Sequence, residues 1–441
     1  MTLSSPRRVV VTGFGQVSPL GISPQSLWDA LRAGRSGVAA LTSLPMDSLP
    51  IAGGGEAREF TGEIENFGPL EKMMQRNIKK GLKVMCREIQ MGVAAAQLAL
   101  VHAGLDASKR NPERTGVSYG SDYIITEPQD FTDGVRNCLQ EGQKFEFDQW
   151  AEHGIPKVDP LWLLKYLPNM PASHIAIYND LRGPSNSITL REASANLALG
   201  EAFTTISRGA ADAIIAGATG TRIHPLRTVH TILQEEVAPK NGLAPEKICR
   251  PFDLNRSGLV LGEGAGAVLL EDLDTAQARG ATIWGEVVGY ASSTVVDQRG
   301  ISDFRAAFRN VLLAALRTSK MSPDDVGHIH AHGLSTHRCD AAEAQAIHEV
   351  FGGRKSPVPV TACKSYFGNL GAGSGVVETI ASLMALQNNQ LFPILNYETP
   401  DPACPVNAVR TWEQSPGNSF ININTTPQGQ ASAVVIRRFE S

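Results

Sequence analysis

One stretch, residues 183–220, constrains the fold more than any other part of the chain. It reads GPSNSITLREASANLALGEAFTTISRGAADAIIAGATG: a short apolar strand over 187–190, a turn at Arg191 and Glu192, then a helix rich in Ala, Ser, Asn and Gly. The turn lies at a helix N-terminus, where unpaired backbone N–H groups and the helix dipole favour negative charge. The pattern predicts a nucleophile elbow on a closely packed central helix. An ordinary buried helix after a strand is the alternative.

Three later stretches extend this plan. Residues 249–280 read CRPFDLNRSGLVLGEGAGAVLLEDLDTAQARG, in which a loop and a glycine-rich turn lead into an apolar strand and a helix. Residues 326–343 contain the run AHGLST. Residues 358–378, VPVTACKSYFGNLGAGSGVVE, repeat the order of strand, polar turn and small-residue helix. Two elbows in one chain indicate a duplicated fold.

These stretches together resemble the β-ketoacyl-acyl carrier protein synthases of the elongating, type II class, in the thiolase-like superfamily. The resemblance runs from Arg8 to Arg438 and implies a duplicated five-layered α/β/α/β/α fold, with residues 1–280 as the N-terminal half and 281–441 as the C-terminal half. At 441 residues the chain is long enough for two core-forming units. Residues 71–104 are predicted to form one long helical region, buried in its second half.

The resemblance implies a catalytic group of one cysteine and two histidines. The cysteine carries the acyl chain, and the histidines stabilise the enolate that forms when a malonyl group loses carbon dioxide. Here Glu192 stands at the cysteine position, His332 matches the first histidine, and Asn369 stands at the second. The amide of Asn369 still donates a hydrogen bond, but it cannot supply a proton or a positive charge.

Other residues match supporting positions of the same family. Lys364 and Glu343 match a lysine and a glutamate that hold the catalytic loops together through polar contacts. Thr336, with Ser335 beside it, matches a position that contacts the pantetheine arm of the substrate. Phe420 lies in the segment that matches the glycine-rich gate loop, and the change of sequence there predicts that the gate is absent or rebuilt.

Glu192 decides which chemistry is left. A carboxylate is a weaker nucleophile than a thiolate, and its acyl product would be a mixed anhydride exposed to hydrolysis, so elongation by the usual ping-pong route is not expected. Burial would raise the pKa of Glu192, whereas the helix N-terminus would lower it. Arg191 would neutralise the carboxylate if its side chain turned the same way.

Three functions fit these residues. The first is a non-elongating partner subunit, similar to a chain-length factor, that pairs with a cysteine-bearing ketosynthase. The second is a decarboxylase of malonyl-carrier protein that uses His332 and Asn369, although an ionised Glu192 would repel a malonyl carboxylate at ~4 Å by about 1 to 4 kcal/mol. The third is a condensing-family acyltransferase with altered chemistry, in which Glu192 acts as a general base.

Composition limits the partners and the location. A net charge of -4 without a long run of like charge points to neither nucleic acid nor an anionic membrane. The 6 cysteines lack CxxC spacing, so neither a disulfide framework nor a metal site is expected. No apolar run suits a signal peptide or a membrane span, which predicts a cytoplasmic protein.

The resemblance also sets the expected partners. It implies no cofactor, because substrates would arrive on the phosphopantetheine of an acyl carrier protein. Family members form dimers through strands beside the elbow, so we expect a homodimer or a heterodimer with a cysteine-bearing ketosynthase. The polar segment 122–159 is assigned by the same resemblance to the dimer contact and to part of the acyl pocket.

Overall fold

Both strands and helices occur throughout residues 6–140 and 144–440, the part of the chain that this computed structural model describes. The strands are β1 (Val9–Val17), β2 (Gly54–Gly55), β3 (Thr115–Ser121), β4 (Ser185–Thr189), β5 (Ala213–Thr221), β6 (Leu261–Asp272), β7 (Gly285–Thr294), β8 (His328–His330), β9 (Pro359–Thr361), β10 (Asn407–Ala408), β11 (Ser419–Thr425) and β12 (Gln430–Arg437). The α-helices are α1 (Pro24–Arg32), α2 (Lys72–Gly81), α3 (Arg87–Ala103), α4 (Gln129–Asn137), α5 (Met170–Asn179), α6 (Ser194–Ser207), α7 (Pro225–Gln234), α8 (Leu273–Ala278), α9 (Phe304–Ser319), α10 (His337–Phe351), α11 (Lys364–Phe367) and α12 (Ser374–Asn388).

The strands of the two halves join edge to edge. Their order is β10-β9-β8-β11-β12-β7-β1-β6-β5-β3-β4, with β2 paired to β6. The junction is short, because β7 pairs with β1 at only three residues, Val9 to Val11. At the far end, β4 pairs with β3 in parallel, and no other described strand lies beside it. The outer edge of β4 is therefore unpaired in this chain.

Two helices built from small residues form a central layer between the strands of the two halves. Helix α6 contacts β3 and β5 on one side and β7 and β12 on the other, and α12 contacts β5, β6 and β11. Helix α3 covers β1, β5 and β6 from outside, while α9 covers β7 and β12 and packs against α10. The layers are therefore α/β/α/β/α, which confirms the predicted thiolase-like fold.

The two elbows have the same construction. The backbone N–H before each turn donates to a serine Oγ four residues later, from Leu190 to Ser194 at 2.7 Å and from Leu370 to Ser374 at 3.0 Å. A 3-10 turn follows each leucine, and its first residue has a left-handed backbone, with φ of 50° at Arg191 and 60° at Gly371. Each serine therefore closes the turn that precedes a central helix.

The region over 71–104 differs from its prediction. It forms two helices, α2 and α3, separated by a 3-10 turn and by Met85, whose backbone is extended at φ -127° and ψ 122°. Met85 is buried and packs in the hydrophobic core. Burial of this side chain overrides the helical propensity of the surrounding sequence.

The proposed halves meet in the loop between α8 and β7, where residue 280 lies. Strand β1 of the first half pairs with β7 of the second, so the division at this residue stays a prediction. Residues 1–5, 141–143 and 441 of the predicted halves, and therefore part of segment 122–159, lie outside the described residues.

Candidate functional site

Glu192 lies at the end of β4, in the first turn leading into α6. Its side chain is 1% exposed. The residue before it, Arg191, has φ of 50°, a conformation that costs a non-glycine residue roughly 1 kcal/mol. Across the central layer, Nδ2 of Asn369 donates to Oε1 of Glu192 at 3.0 Å. The two elbows therefore meet at this carboxylate.

Arg222 is the main charged partner of Glu192. It follows β5, it is fully buried, and its Nη2 donates to Oε1 of Glu192. Arg191 reaches the other oxygen less closely: its Nε is 3.7 Å from Oε2 of Glu192, while its Nη2 donates to Oε1 of Glu235 at 2.5 Å. The side chain of Arg191, the cation that the sequence suggested for neutralising Glu192, is thus directed mainly toward Glu235.

These contacts set the charge of the elbow. Burial raises the pKa of Glu192, but the guanidinium groups of Arg222 and Arg191 and the amide of Asn369 lower it by more. The resulting pKa lies well below the ordinary range of a carboxyl group. Glu192 is therefore ionised at neutral pH.

His332 follows β8, and its Nδ1 is engaged by a buried polar cluster. This atom lies 3.1 Å from Oδ1 of Asn424 and 3.3 Å from Nζ of Lys364. Burial and the nearby Lys364 lower the pKa of His332 to about 3, so its ring is neutral at pH 7. Nε2 is the ring nitrogen that lies outside this cluster.

Lys364 and Glu343 fix the loops around His332. Nζ of Lys364 donates to Oε1 of Glu378 at 2.5 Å, and Oε2 of Glu378 accepts from Nδ2 of Asn424 at 2.8 Å. Glu343 on α10 accepts from the backbone N–H of His332 at 2.6 Å and from that of the next residue at 2.9 Å. Burial raises the pKa of Glu343 to about 8, against the effect of these amides.

Family models cover most of the chain. The Beta-ketoacyl synthase, N-terminal domain matches residues 6–276, and the Beta-ketoacyl synthase, C-terminal domain matches residues 284–398. The chain belongs to the β-ketoacyl synthase family.

Individual members of the β-ketoacyl synthase family match over nearly the full length. The 3-oxoacyl-[acyl-carrier-protein] synthase 2 of Coxiella burnetii (strain RSA 493 / Nine Mile phase I) is 32% identical over 404 residues, which are 91% of this chain and 91% of that protein. A β-ketoacyl synthase from Burkholderia phymatum STM815 has a similar crystal structure, with a TM-score of 0.83, 26% identity, and coverage of 98% and 100% of the two chains.

A second solved structure is a complex. It is AntDE:AntF, a type II PKS acyl-carrier protein with its ketosynthase bound to the hexaketide. The matched chain has a TM-score of 0.83 and 25% identity, over 99% of this chain and 100% of its own length.

His332 lines a cavity of about 220 Å³. Its walls run from the exposed Arg338, through Leu334, Thr336 and Cys339, to His332. Oγ1 of Thr336 is buried and has no hydrogen-bond partner among the described residues. The described residues that line the cavity do not include Glu192 or Asn369. The elbow carboxylate therefore does not line this space.

Two residues predicted to bind substrate do not lie at the cavity. Ser335 is fully buried, and its Oγ accepts from the backbone N–H of Arg250 at 3.1 Å, so its side chain holds the loop instead. Phe420 on β11 is also fully buried and stacks on His328, with ring centroids 5.4 Å apart. Phe420 is part of the core because a buried strand, β11, runs through the segment where the gate loop was predicted to be absent or rebuilt.

The residues that sequence reasoning missed are the charged partners of the elbow. Arg222 and Glu378 contact Glu192 and Lys364, but neither stands in a motif that indicates this role. Glu235, which binds Arg191, lines the cavity. For Arg222 the available signal was its place directly after the buried strand β5, since strand ends meet at one edge of a sheet.

Residues 6–140 and 144–440 contain no cluster of three or more His, Cys, Asp or Glu side chains arranged to hold a metal ion. Across the same ranges, every helix is too short or too polar to cross a membrane.

Proposed function

We propose that this chain is a non-elongating partner subunit, similar to a chain-length factor, that pairs with a cysteine-bearing ketosynthase of fatty-acid or polyketide biosynthesis. The observation that carries the proposal is the ion pair at the elbow. Glu192 is ionised, buried and bound by both Arg222 and Asn369. The two side chains that replace the family's cysteine and second histidine are therefore bound to each other, and the first of them also to Arg222.

Neither of two cysteines, one lining the cavity and one on the second elbow, is suited to act as the nucleophile. Cys339 lines the cavity, but burial raises the pKa of its thiol well above the ordinary value, so it stays protonated. Cys363 precedes Lys364 on the second elbow and lies in the hydrophobic core, where burial also raises its pKa strongly. Protonated thiols are poor nucleophiles, so acyl transfer to either cysteine is not expected.

Malonyl decarboxylation is the second candidate, because His332 lines the cavity. Nε2 of this neutral ring can donate to a developing enolate oxygen. The amide of Asn369, however, already donates to Glu192, and the ionised carboxylate would repel a malonyl group. The occupied amide and the charge repulsion make decarboxylation the weaker candidate. An altered acyltransferase with Glu192 as base is weaker still, because the lowered pKa makes this carboxylate a poor proton acceptor.

The unpaired edge of β4 supports a partner subunit at this face. The segment over 161–168 contacts β4, since Oγ of Ser187 donates to the carbonyl of Pro168 at 3.3 Å. Large apolar side chains are exposed nearby: Leu161 and Leu163 in this segment, and Leu226, Val229 and Leu233 on α7. A strand edge together with such a patch is typical of a protein–protein interface. We therefore place the ketosynthase partner here, while a second copy of this chain is the other outcome of the test.

Purification of the tagged chain from the cells that make it tests this proposal. Native mass spectrometry is expected to show a one-to-one complex with a second β-ketoacyl synthase chain whose elbow residue is cysteine. Peptide sequencing of that chain identifies the elbow residue directly. A homodimer that elongates or decarboxylates a malonyl-carrier protein would overturn the proposal.

A further inference from the structure

Seven side chains of alternating charge form a continuous series through the interior. In order they are Glu235, Arg191, Glu192, Arg222, Asp122, Arg227 and Glu88. Beyond the elbow, Nη1 of Arg222 is 3.4 Å from Oδ2 of Asp122, and Nη1 of Arg227 is 3.9 Å from the same oxygen. Arg227 then donates to Oε2 of Glu88 at 3.2 Å. We call this series the charge column.

The charge column fills the space behind the elbow with polar atoms. Arg222 and Arg227 are the largest of the fully buried side chains in the described part of the chain. Asp122 directly follows β3 and Arg222 directly follows β5, the two strands nearest to β4, so the column crosses the strand ends behind Glu192. A Cβ atom on Gly371 of the second elbow would lie 3.3 Å from Oδ2 of Asp122, so little room is left on that side.

An acyl chain attached at residue 192 would have to displace these charges. Methylene groups offer no hydrogen bonds, so each displaced guanidinium or carboxylate would be left buried and unpaired. Replacement of Glu192 alone leaves the ion pair of Arg222 with Asp122, whose Nη1 and Oδ2 lie 3.4 Å apart.

We propose that Arg222 and Asp122 are specificity-determining residues that exclude an acyl chain from this elbow whatever residue stands at position 192. The inference rests on the proposed function and deepens it: the chain is closed to acyl groups by two side chains outside the elbow as well as by the loss of its thiol. A thiol restored at 192 does not by itself restore an acyl site.

The test uses the full-length chain with two thiol-bearing variants. One is Glu192→Cys, and the other adds Arg222→Ala and Asp122→Ala, which removes one positive and one negative charge together. Each is incubated with the octanoyl thioester of N-acetylcysteamine. In the reaction, the Cys sulfur attacks the thioester carbonyl, the bond from that carbonyl to the N-acetylcysteamine sulfur breaks, and N-acetylcysteamine leaves as its thiol. Intact mass and peptide mapping report one octanoyl group on residue 192.

The triple variant is expected to be octanoylated at residue 192 at least about tenfold faster than Glu192→Cys. Equal rates in the two variants would overturn the inference. So would a triple variant that retains its circular dichroism spectrum and thermal transition but takes up no octanoyl group, because another part of the structure would then exclude the chain.

A second measurement tests the inference if the triple variant does not fold. Glu192→Cys alone is treated with acetyl and octanoyl thioesters. Iodoacetamide, a small reagent that alkylates thiols, is used in parallel to show that the new thiol can react. The inference predicts that the octanoyl group is transferred much more slowly than the acetyl group, or that neither acyl group is transferred. Octanoylation as fast as acetylation would contradict it. Catalysis by the unaltered chain would refute the proposed function, but it is a separate observation from acylation of these variants.

Discussion

Nη2 of Arg222 donates to Oε1 of Glu192 at the elbow between β4 and α6, and both side chains are shielded from solvent. A buried pair of this kind stabilises a fold only as a pair, because the loss of one member leaves the other charged and desolvated.

Glu192→Ala is expected to lower the free energy of unfolding by about 3 to 5 kcal/mol, since it leaves Arg222 without its nearest carboxylate. Urea unfolding at fixed protein concentration measures the change. Glu65→Gln, at an exposed carboxyl group, is the matched control and is expected to be nearly neutral. A change below about 1 kcal/mol for Glu192→Ala would show that the pair is not structurally important.

A double variant measures the coupling between Glu192 and Arg222. Glu192→Leu with Arg222→Met removes both charges, and it is expected to be markedly more stable than Arg222→Met alone, because no unpaired carboxylate is left at the elbow. Additive effects of the two substitutions in the same urea experiment would argue against direct coupling.

Arg191 offers a comparison between ion pairing and backbone strain. Both Arg191→Ala and Arg191→Gly remove the contact with Glu235, but only glycine adopts φ of 50° without strain. We expect Arg191→Gly to be more stable than Arg191→Ala by about 1 kcal/mol, measured by thermal unfolding. The equivalent position of the second elbow is already glycine, Gly371. Equal stability of the two variants would mean that the turn relaxes.

The backbone of this site was easier to predict from sequence than its electrostatics. The turn at Arg191, the small residues of α6 and the repeat near Asn369 are local features, and local patterns predict local structure. The partner of Glu192 is 30 residues away in the chain, on a different strand end. Arg191 was the adjacent cation and the natural candidate, yet its left-handed backbone carries it toward Glu235. Such pairings depend on side-chain direction, which sequence spacing does not specify.

Phe420 and Met85 show the same limit in the fold. The resemblance assigned Phe420 to substrate binding, whereas its side chain is fully buried in β11 together with Ile421 and Ile423. The break at Met85 has no proline beside it and follows Gly81 by several residues. Tertiary burial decides both cases.

Two buried carboxyl groups give stability opposite dependences on pH. The lowered pKa of Glu192 means that its contribution is present above about pH 4.5, its ordinary pKa, and is lost as the pH falls through the lower folded value. Burial raises the pKa of Glu88 to about 7, so its contribution is fully present below pH 4.5 and is lost as the pH rises through about 7.

Glu88→Gln tests the second of these effects. Between about pH 4.5 and about pH 8 it is expected to remove a decline of about 3 kcal/mol from the unfolding free energy, at 1.36 kcal/mol per unit of pKa difference. The amide oxygen can still accept from Arg227, as Oε2 of Glu88 does at 3.2 Å. Urea unfolding across this range measures the slope, and an unchanged slope would mean that Glu88 is already ionised in the folded protein.

The proposed interface at β4 predicts a partner-specific effect. Leu161→Glu places a charge among exposed apolar side chains and is expected to weaken the complex with the ketosynthase at least about tenfold, as measured by analytical ultracentrifugation. Leu313→Glu is the control, because Leu313 is similarly exposed but lies on α9, in the outer layer of the other half. Equal weakening by both variants would place the partner elsewhere.

The central claim is that the ion-paired Glu192 leaves this elbow without chemistry. The most direct measurement incubates the purified chain with malonyl-carrier protein, with and without an acyl-carrier protein, and reads the carrier masses by intact mass spectrometry beside a Glu192→Ala control. We predict unchanged carriers in every sample that contains this chain alone. Acetyl-carrier protein or extended product formed by the unaltered chain, and absent with Glu192→Ala, would contradict the account.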